Sequence, residues 1–298
     1  MDEIVDYPSQ IERNQDCYRY LLLDPLKPVS RVNPLHVSRL RAFLGNDAVM
    51  VVQRADLAHS PQHCPLLVCF ASPGRSVDPE LLRTSVSYSR NEVGHDKRYV
   101  CGWLTSQQPI NIVANVLAER CSQSGQLIGD QQILPFFEPL RFELLHATKG
   151  FNEFIWPVMQ WWFVSASGKL IYLEGQASEK KWQPDWGTLR NQQNIRDIQG
   201  VLFAWRRVCA VLPDNAAARA ASAWANTAKY RLPHRQDRHY LALSELTLPV
   251  DITDHPYVQS LLQQAASSAS LRFTQLMTSV PEGVWQALSS NTGGQYDA

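Results

Sequence analysis

The chain has 298 residues, enough to bury a large core as one big domain or as two smaller ones. Lysine plus arginine equals aspartate plus glutamate at 28 each, so no global charge recruits nucleic acid or an anionic membrane, and neither is an expected partner. Most of the six cysteines, which contain no CxxC pair, read as buried free thiols, no secretory leader is visible in Met-Asp-Glu-Ile-Val-Asp-Tyr-Pro, and the longest apolar cluster, around Phe154 to Val164, is too short to cross a bilayer, so a cytoplasmic protein is expected.

In chain order, Cys17 to Leu23 reads as a strand running into the Asp24-Pro25 turn. Pro34 to Leu44 has helical spacing and closes at Gly45-Asn46. Ala48 to Val52 and Leu66 to Phe70 are strand-length apolar runs without clean alternation, which suits strands covered on both faces. Asp78-Pro79 opens a short helix through Leu82 and Val86. The stretch from Tyr99 to His146 predicts a βαβ-like unit. A strand crosses Gly102, a helix runs from Pro109 to Cys121 and is broken by Gly125 and Gly129, and a second strand spans Ile133 to Phe137, ending in an aromatic corner at Pro139.

Beyond that corner, Phe142 to Ala147 predicts a short helix, and Val164 to Leu173 a hairpin whose turn needs Gly168 at positive φ. Charged, proline and glycine residues from Gly175 to Asn191 predict a boundary between lobes. After it come helices over Ile195 to Val211, Asn215 to Tyr230, Pro256 to Val280 and Glu282 to Leu288, with a frayed Asn291-Thr-Gly-Gly tail. The expected class is α+β: a mixed α/β lobe over residues 1–175 and a mainly helical lobe over residues 192–298.

No nucleotide-loop, nucleophile-elbow or zincin signature occurs, and no catalytic residue, cofactor or metal is expected. Glu92/His95 and Glu143/His146 have di-iron spacing, but neither reads as a bundle site. His59, His63, Cys64 and Cys69 read as a surface loop feeding a core strand rather than a zinc site. Arg231, His234, Arg235, Arg238 and His239 beside Tyr240 form a basic cluster, which reads as a solvated linker between lobes before it reads as an RNA surface. Trp156, Trp161 and Trp162 read as core, the rival being the wall of a small-molecule or enzyme pocket between the lobes. Glu138 is expected to cap the helix that follows it.

The order Tyr20-Leu-Leu-Leu-Asp24, a Gly102-Trp103 strand, a helix, Phe136-Phe137-Glu138-Pro139, Arg141 and then a segment carrying Trp156 and Trp161 resembles the effector adaptors of bacterial type VI secretion, the Tap or TEC chaperones. The resemblance covers roughly Tyr18 to Gly168. The family corner reads aromatic-aromatic-Asp-Pro-Arg, whereas here Glu138 stands for the aspartate and Leu140 separates Pro139 from Arg141. What the resemblance implies is a non-enzymatic chaperone that holds a toxic secreted effector in the cytoplasm and loads it onto a VgrG-type spike protein. Asp24, Gly102, Trp103, Phe136, Phe137, Glu138, Pro139, Arg141, Trp156 and Trp161 would then serve as framework or interface positions.

Overall fold

The structure is a computed structural model that describes residues 15–128 and 133–290. The N-terminal segment before residue 15, the expected helix breaker Gly129 and the Asn291 tail lie outside the described residues. The chain divides into two compact units, Met1–Gln193 and Asn194–Ala298, and its class is α+β.

The first unit is built on one six-stranded sheet with strand order β2-β3-β1-β4-β5-β6, in which every pair is antiparallel. Its strands are β1 (Tyr18–Leu23), β2 (Val49–Val51), β3 (Leu66–Ala71), β4 (Val100–Ser106), β5 (Gln160–Val164) and β6 (Leu170–Glu174). Helices cover both faces, and this is why the central strands are apolar without alternation. On β1, Tyr20 and Leu22 join one core while Leu21 and Leu23 join the other. The first core holds α3 (Ile110–Ile128), α4 (Pro139–His146) and α5 (Phe151–Phe154) through Val113, Leu117, Cys121, Phe142 and Phe151. The second holds α1 (Val37–Leu44) and α2 (Pro79–Asn91) through Leu40, Leu81 and Leu82. Helix α2 begins as the sequence predicts, with Pro79 in its first turn and the Asp78 carboxylate accepting the Leu81 N–H at 2.7 Å. The β5–β6 hairpin is also as predicted, with Gly168 at φ 89° in its turn.

The stretch from Tyr99 to His146 departs from the expected βαβ-like unit. Gly125 does not end the helix, because α3 continues through it to Ile128 and Gly125 is buried inside it. The apolar run Leu134 to Phe137 is not a strand but a buried turn, in which the Leu134 N–H reaches the Cys121 carbonyl at 2.9 Å and the Glu138 N–H reaches the Pro135 carbonyl at 3.0 Å. A short apolar run signals burial, and burial is compatible with a turn wherever local bonds satisfy the backbone. Pro135 and Pro139 supply no donors to a ladder, so the turn prevails.

Where the sequence predicts a boundary, residues Trp186–Gln193 form helix α6, which belongs to the first unit. The second unit contains α7 (Ile195–Val208), α8 (Ala216–Asn226), α9 (Arg235–Thr247), α10 (Pro256–Ser267), α11 (Phe273–Met277) and α12 (Glu282–Ser290). The expected single helix over Pro256 to Val280 is therefore two, separated at Ser268 to Arg272. The expected linker around Arg231 to Tyr240 is mostly α9, whose Leu241 and Ala242 are buried. Charged residues on its first turns mask its apolar period, because the buried polar position there is Asp237. That carboxylate accepts the N–H groups of Phe273 at 2.8 Å and Thr274 at 3.0 Å, and so caps α11 from a neighbouring helix.

Candidate functional site

Of the positions that carry the family resemblance, Gly102, Phe136, Phe137 and Trp161 come together on one side of the first unit's sheet, while Trp103 faces the other. Gly102 lies in β4 beneath the Trp161 indole, and a Cβ at this position would stand 2.4 Å from Trp161 Nε1 and 2.7 Å from the Trp162 carbonyl oxygen. Trp161 is fully buried, stacked on Phe142 with ring centroids 4.4 Å apart and tilted against Phe136 at 5.9 Å. Phe136 also meets Phe137, Phe151 and Phe154 edge-on, so the buried turn delivers two rings into a continuous aromatic core. On the opposite face, Trp103 donates its indole N–H to Ser85 Oγ at 2.9 Å, and Ser85 in turn donates to the Leu82 carbonyl.

Trp156, Trp161 and Trp162 do not form a common wall. Trp161 and Trp162 are buried on opposite faces of β5, while Trp156 is 38% exposed and precedes the cis-Pro157 bond. A pocket lined by all three is not what the local geometry of β5 offers.

Glu138 does not cap α4 as the sequence predicts: it occupies the N-cap position without a side-chain cap bond. Its carboxylate instead pairs with Lys97 through one oxygen and with Arg141 Nε at 3.0 Å through the other. Two cations within reach outcompete neutral N–H donors for the same oxygens. Arg141 continues the network by donating to the Gln192 carbonyl at 3.1 Å and to its Oε1 at 3.2 Å, while Gln192 Nε2 returns a bond to the Arg141 carbonyl. The corner thus ties the loop before β4, the start of α4 and the end of α6 together. Lys97 and Gln192 are the members that sequence reasoning did not identify, since each lies in a polar stretch with no pattern to mark it.

Asp24, at the end of β1, belongs to the same corner. Its Oδ1 accepts the Leu26 N–H at 3.0 Å, while Oδ2 is buried with no hydrogen-bond partner among the described residues. Burial lifts its carboxyl to about 6; the Leu26 bond opposes this and the charge of Glu138 adds to it. Asp24 is in this way a buried acid beside an ion pair rather than a group aimed at an open cleft.

Both Glu-x-x-His pairs turn out to be structural latches. Glu92 Oε2 accepts the N–H groups of Tyr99 at 2.8 Å and Val100 at 3.1 Å, holding the start of β4, while His95 meets Lys27. Glu143 Oε2 accepts the Ala166 N–H at 2.6 Å and pins the β5–β6 turn onto α4, and His146 contacts the Glu143 carbonyl through Nδ1. Cys64 is buried, Cys69 half-buried on β3, and His59 and His63 exposed. Among the described residues no group of three or more histidine, cysteine or acidic side chains is arranged to hold a metal ion.

In the second unit the basic cluster is internally engaged. Arg235 pairs with Asp197, which His239 Nε2 also approaches at 3.4 Å. Arg238 lies over the Trp224 ring at 4.0 Å and donates to Thr227 Oγ1, His234 meets the Ala269 carbonyl, and Tyr240 packs edge-on against Phe273. These are contacts of a folded helix rather than of a solvated loop offering a ring to a base.

Glu143 sets a pH dependence whose sign is definite. Burial raises its carboxyl from 4.5 to about 7, against the opposing Ala166 bond and Arg98 charge, so the folded chain binds this proton more tightly than the unfolded chain. The stabilisation linked to that proton is present in full below the unfolded value of 4.5 and is lost as pH rises through about 7. Glu143→Gln keeps an oxygen for the Ala166 N–H and removes the titration. Urea unfolding at about pH 5 and about pH 7.5 should show the native chain losing stability with a slope of roughly 1.4 kcal/mol per unit where the group titrates, and the variant lacking that component. Equal slopes in the two proteins would show that Glu143 is not the group responsible.

No family model, curated protein or solved structure was found to match the chain.

Proposed function

We propose that the chain is an adaptor chaperone that binds a toxic effector protein in the cytoplasm of the producing cell and loads it onto a VgrG-type spike of a bacterial type VI secretion apparatus. The observation that carries this reading is the convergence of the resembling positions. Gly102, Trp161, Phe136 and Phe137 interlock in one core, and Glu138, Arg141 and Asp24 meet at its charged corner. Positions scattered over more than a hundred residues of sequence thus act as one framework, as a shared fold requires. The departure at the corner is compatible with it, because the longer Glu138 carboxylate still engages Arg141 across the intervening Leu140.

Two compact units with separate cores also suit a protein that must hold two partners, each unit presenting its own surface. Among the described residues no helix is long and apolar enough to cross a membrane. As an adaptor the chain would be non-enzymatic, needing neither cofactor nor metal, and its binding energy would concentrate in a few aromatic and arginine anchors.

Co-expression with a VgrG-type spike protein and the toxin encoded beside it tests the proposal. The expected result is a complex that survives size exclusion and contains the toxin, with the spike recruited only when the chain is present. A chain that elutes alone from both mixtures would overturn the assignment.

A further inference from the structure

The segment from Pro25 to Asn46 stands apart electrostatically. In a chain of zero formal net charge it carries Lys27, Arg31, Arg39 and Arg41 with no aspartate or glutamate. It also exposes two large apolar side chains, Val32 at 77% and Phe43 at 64%. Helix α1 explains how this happens. Leu40 is buried, and Val37 and Leu44 pack against the same core, so these three form the inner face. Arg39 and Phe43 are four residues apart and share an outer flank. The preceding turn is fastened to that flank by Arg39 Nε, which donates to the Arg31 carbonyl at 3.4 Å, and this brings Arg31 and Val32 alongside.

Neither Arg31, Arg39 nor Arg41 forms an ion pair with a carboxylate among the described residues. The first acid after the segment is Asp47, in the 3-10 turn that follows α1. A lone exposed phenylalanine would need no explanation. An exposed ring and an exposed valine set among arginine forks that lack counter-charges among the described residues have the composition of an interface centre, where aromatic residues and arginine are enriched.

We propose that the outer flank of α1 with its preceding turn, formed by Arg31, Val32, Arg39 and Phe43, is a docking surface for an acidic segment of a partner protein that carries an apolar anchor. Charge complementarity selects the partner: carboxylates take the guanidinium forks in bidentate fashion, and the apolar anchor covers Phe43 and Val32. Single-stranded RNA is a poorer fit, because base stacking uses a row of rings and this flank has one. An anionic membrane is a poorer fit as well, because α1 is eight residues long and buries its continuous apolar face in the protein's own core. The surface follows from the charges and exposures themselves and does not depend on the adaptor reading.

Selection from a random displayed peptide library against the full chain, followed by fluorescence-anisotropy titration of the enriched peptides, tests the proposal. The expected result is enrichment of aspartate or glutamate next to leucine, phenylalanine or tryptophan, with affinity that falls as salt rises. The single variants Arg31→Glu and Phe43→Ser, both at exposed positions, should each weaken binding by about tenfold or more while leaving the circular-dichroism melt unchanged. Failure to enrich any peptide, enrichment without acidic residues, or undiminished binding by the charge-reversed chain would overturn it. So would tighter binding of the same flank to a labelled oligoribonucleotide or to phosphatidylserine/phosphatidylcholine vesicles, detected as a loss of that binding in the charge-reversed chain.

Discussion

Gly102→Ala is expected to destabilise the first unit by about 3 kcal/mol, more than the loss of any surface side chain. The added methyl has nowhere to go. One neighbour is Trp161 Nε1 at 2.4 Å and the other is the Trp162 backbone oxygen at 2.7 Å, which belongs to the adjacent strand. The indole could relieve its overlap only by moving, but it is fully buried and stacked on Phe142 with a 4.4 Å centroid separation. A double-mutant cycle separates the two overlaps. In a Trp161→Leu background the first obstacle is gone, so Gly102→Ala should cost about 1 kcal/mol there and the two changes should couple by roughly 2 kcal/mol. Urea denaturation of the four proteins measures this. Additive effects, or a Gly102→Ala chain as stable as the parent, would mean that the glycine is not required by Trp161.

Trp103→Ala is the second large effect, expected at about 3 to 5 kcal/mol. Trp103 is 1% exposed and fills the space between β4 and α2, so truncation leaves a cavity bounded by a sheet and a helix that cannot both close in. It also deprives Ser85 Oγ of the indole N–H, although Ser85 keeps its own bond to the Leu82 carbonyl. Trp103→Phe should therefore recover a good part of the loss, because the ring restores most of the packing and the hydroxyl is not left without a partner. If Trp103→Ala kept full stability and lost partner binding instead, this strand would be an interface rather than a framework.

The same framework clarifies the charged corner. Glu138 occupies the start of α4 yet spends both oxygens on Lys97 and Arg141, and Arg141 reaches on to Gln192. The carboxylate is thus a junction between three chain segments, and its value lies in orienting them. Carboxylates also act as latches, here on backbone donors, at Glu92, which holds the start of β4, at Glu143, which holds the β5–β6 turn, and at Asp237 in the second unit. In each, one buried carboxylate accepts backbone N–H groups: Glu92 from Tyr99 and Val100 a few residues on, Glu143 from Ala166, and Asp237 from Phe273 and Thr274. This is an economical way to satisfy donors that no ladder or helix can reach.

Several local elements of this protein were legible in its sequence, though the apolar run Ile133 to Phe137 was not the strand it resembled. Strands β1, β3 and β4 follow from runs of apolar residues, α2 from Asp78-Pro79, the β5–β6 turn from Gly168, and the burial of Phe136 and Phe137 from their aromatic character. Such features depend on residues within a few positions of one another, so their physical cause is contained in a short window. The antiparallel order β2-β3-β1-β4-β5-β6 was decided only by tertiary structure, because strands apolar on both faces carry no alternation that would identify their partners. The continuation of α3 through Gly125 was decided there too, since packing of a buried face outweighs the roughly 1 kcal/mol that glycine costs a helix. The helix at Arg235–Thr247 escaped the sequence pattern because its inner face includes Asp237, a polar residue made acceptable by the Phe273 and Thr274 donors brought to it in the folded chain. Lys97, 41 residues from Glu138, became its partner for a like reason: a side chain's charge is written in the sequence, but the counter-charge that meets it depends on which segments the fold brings together.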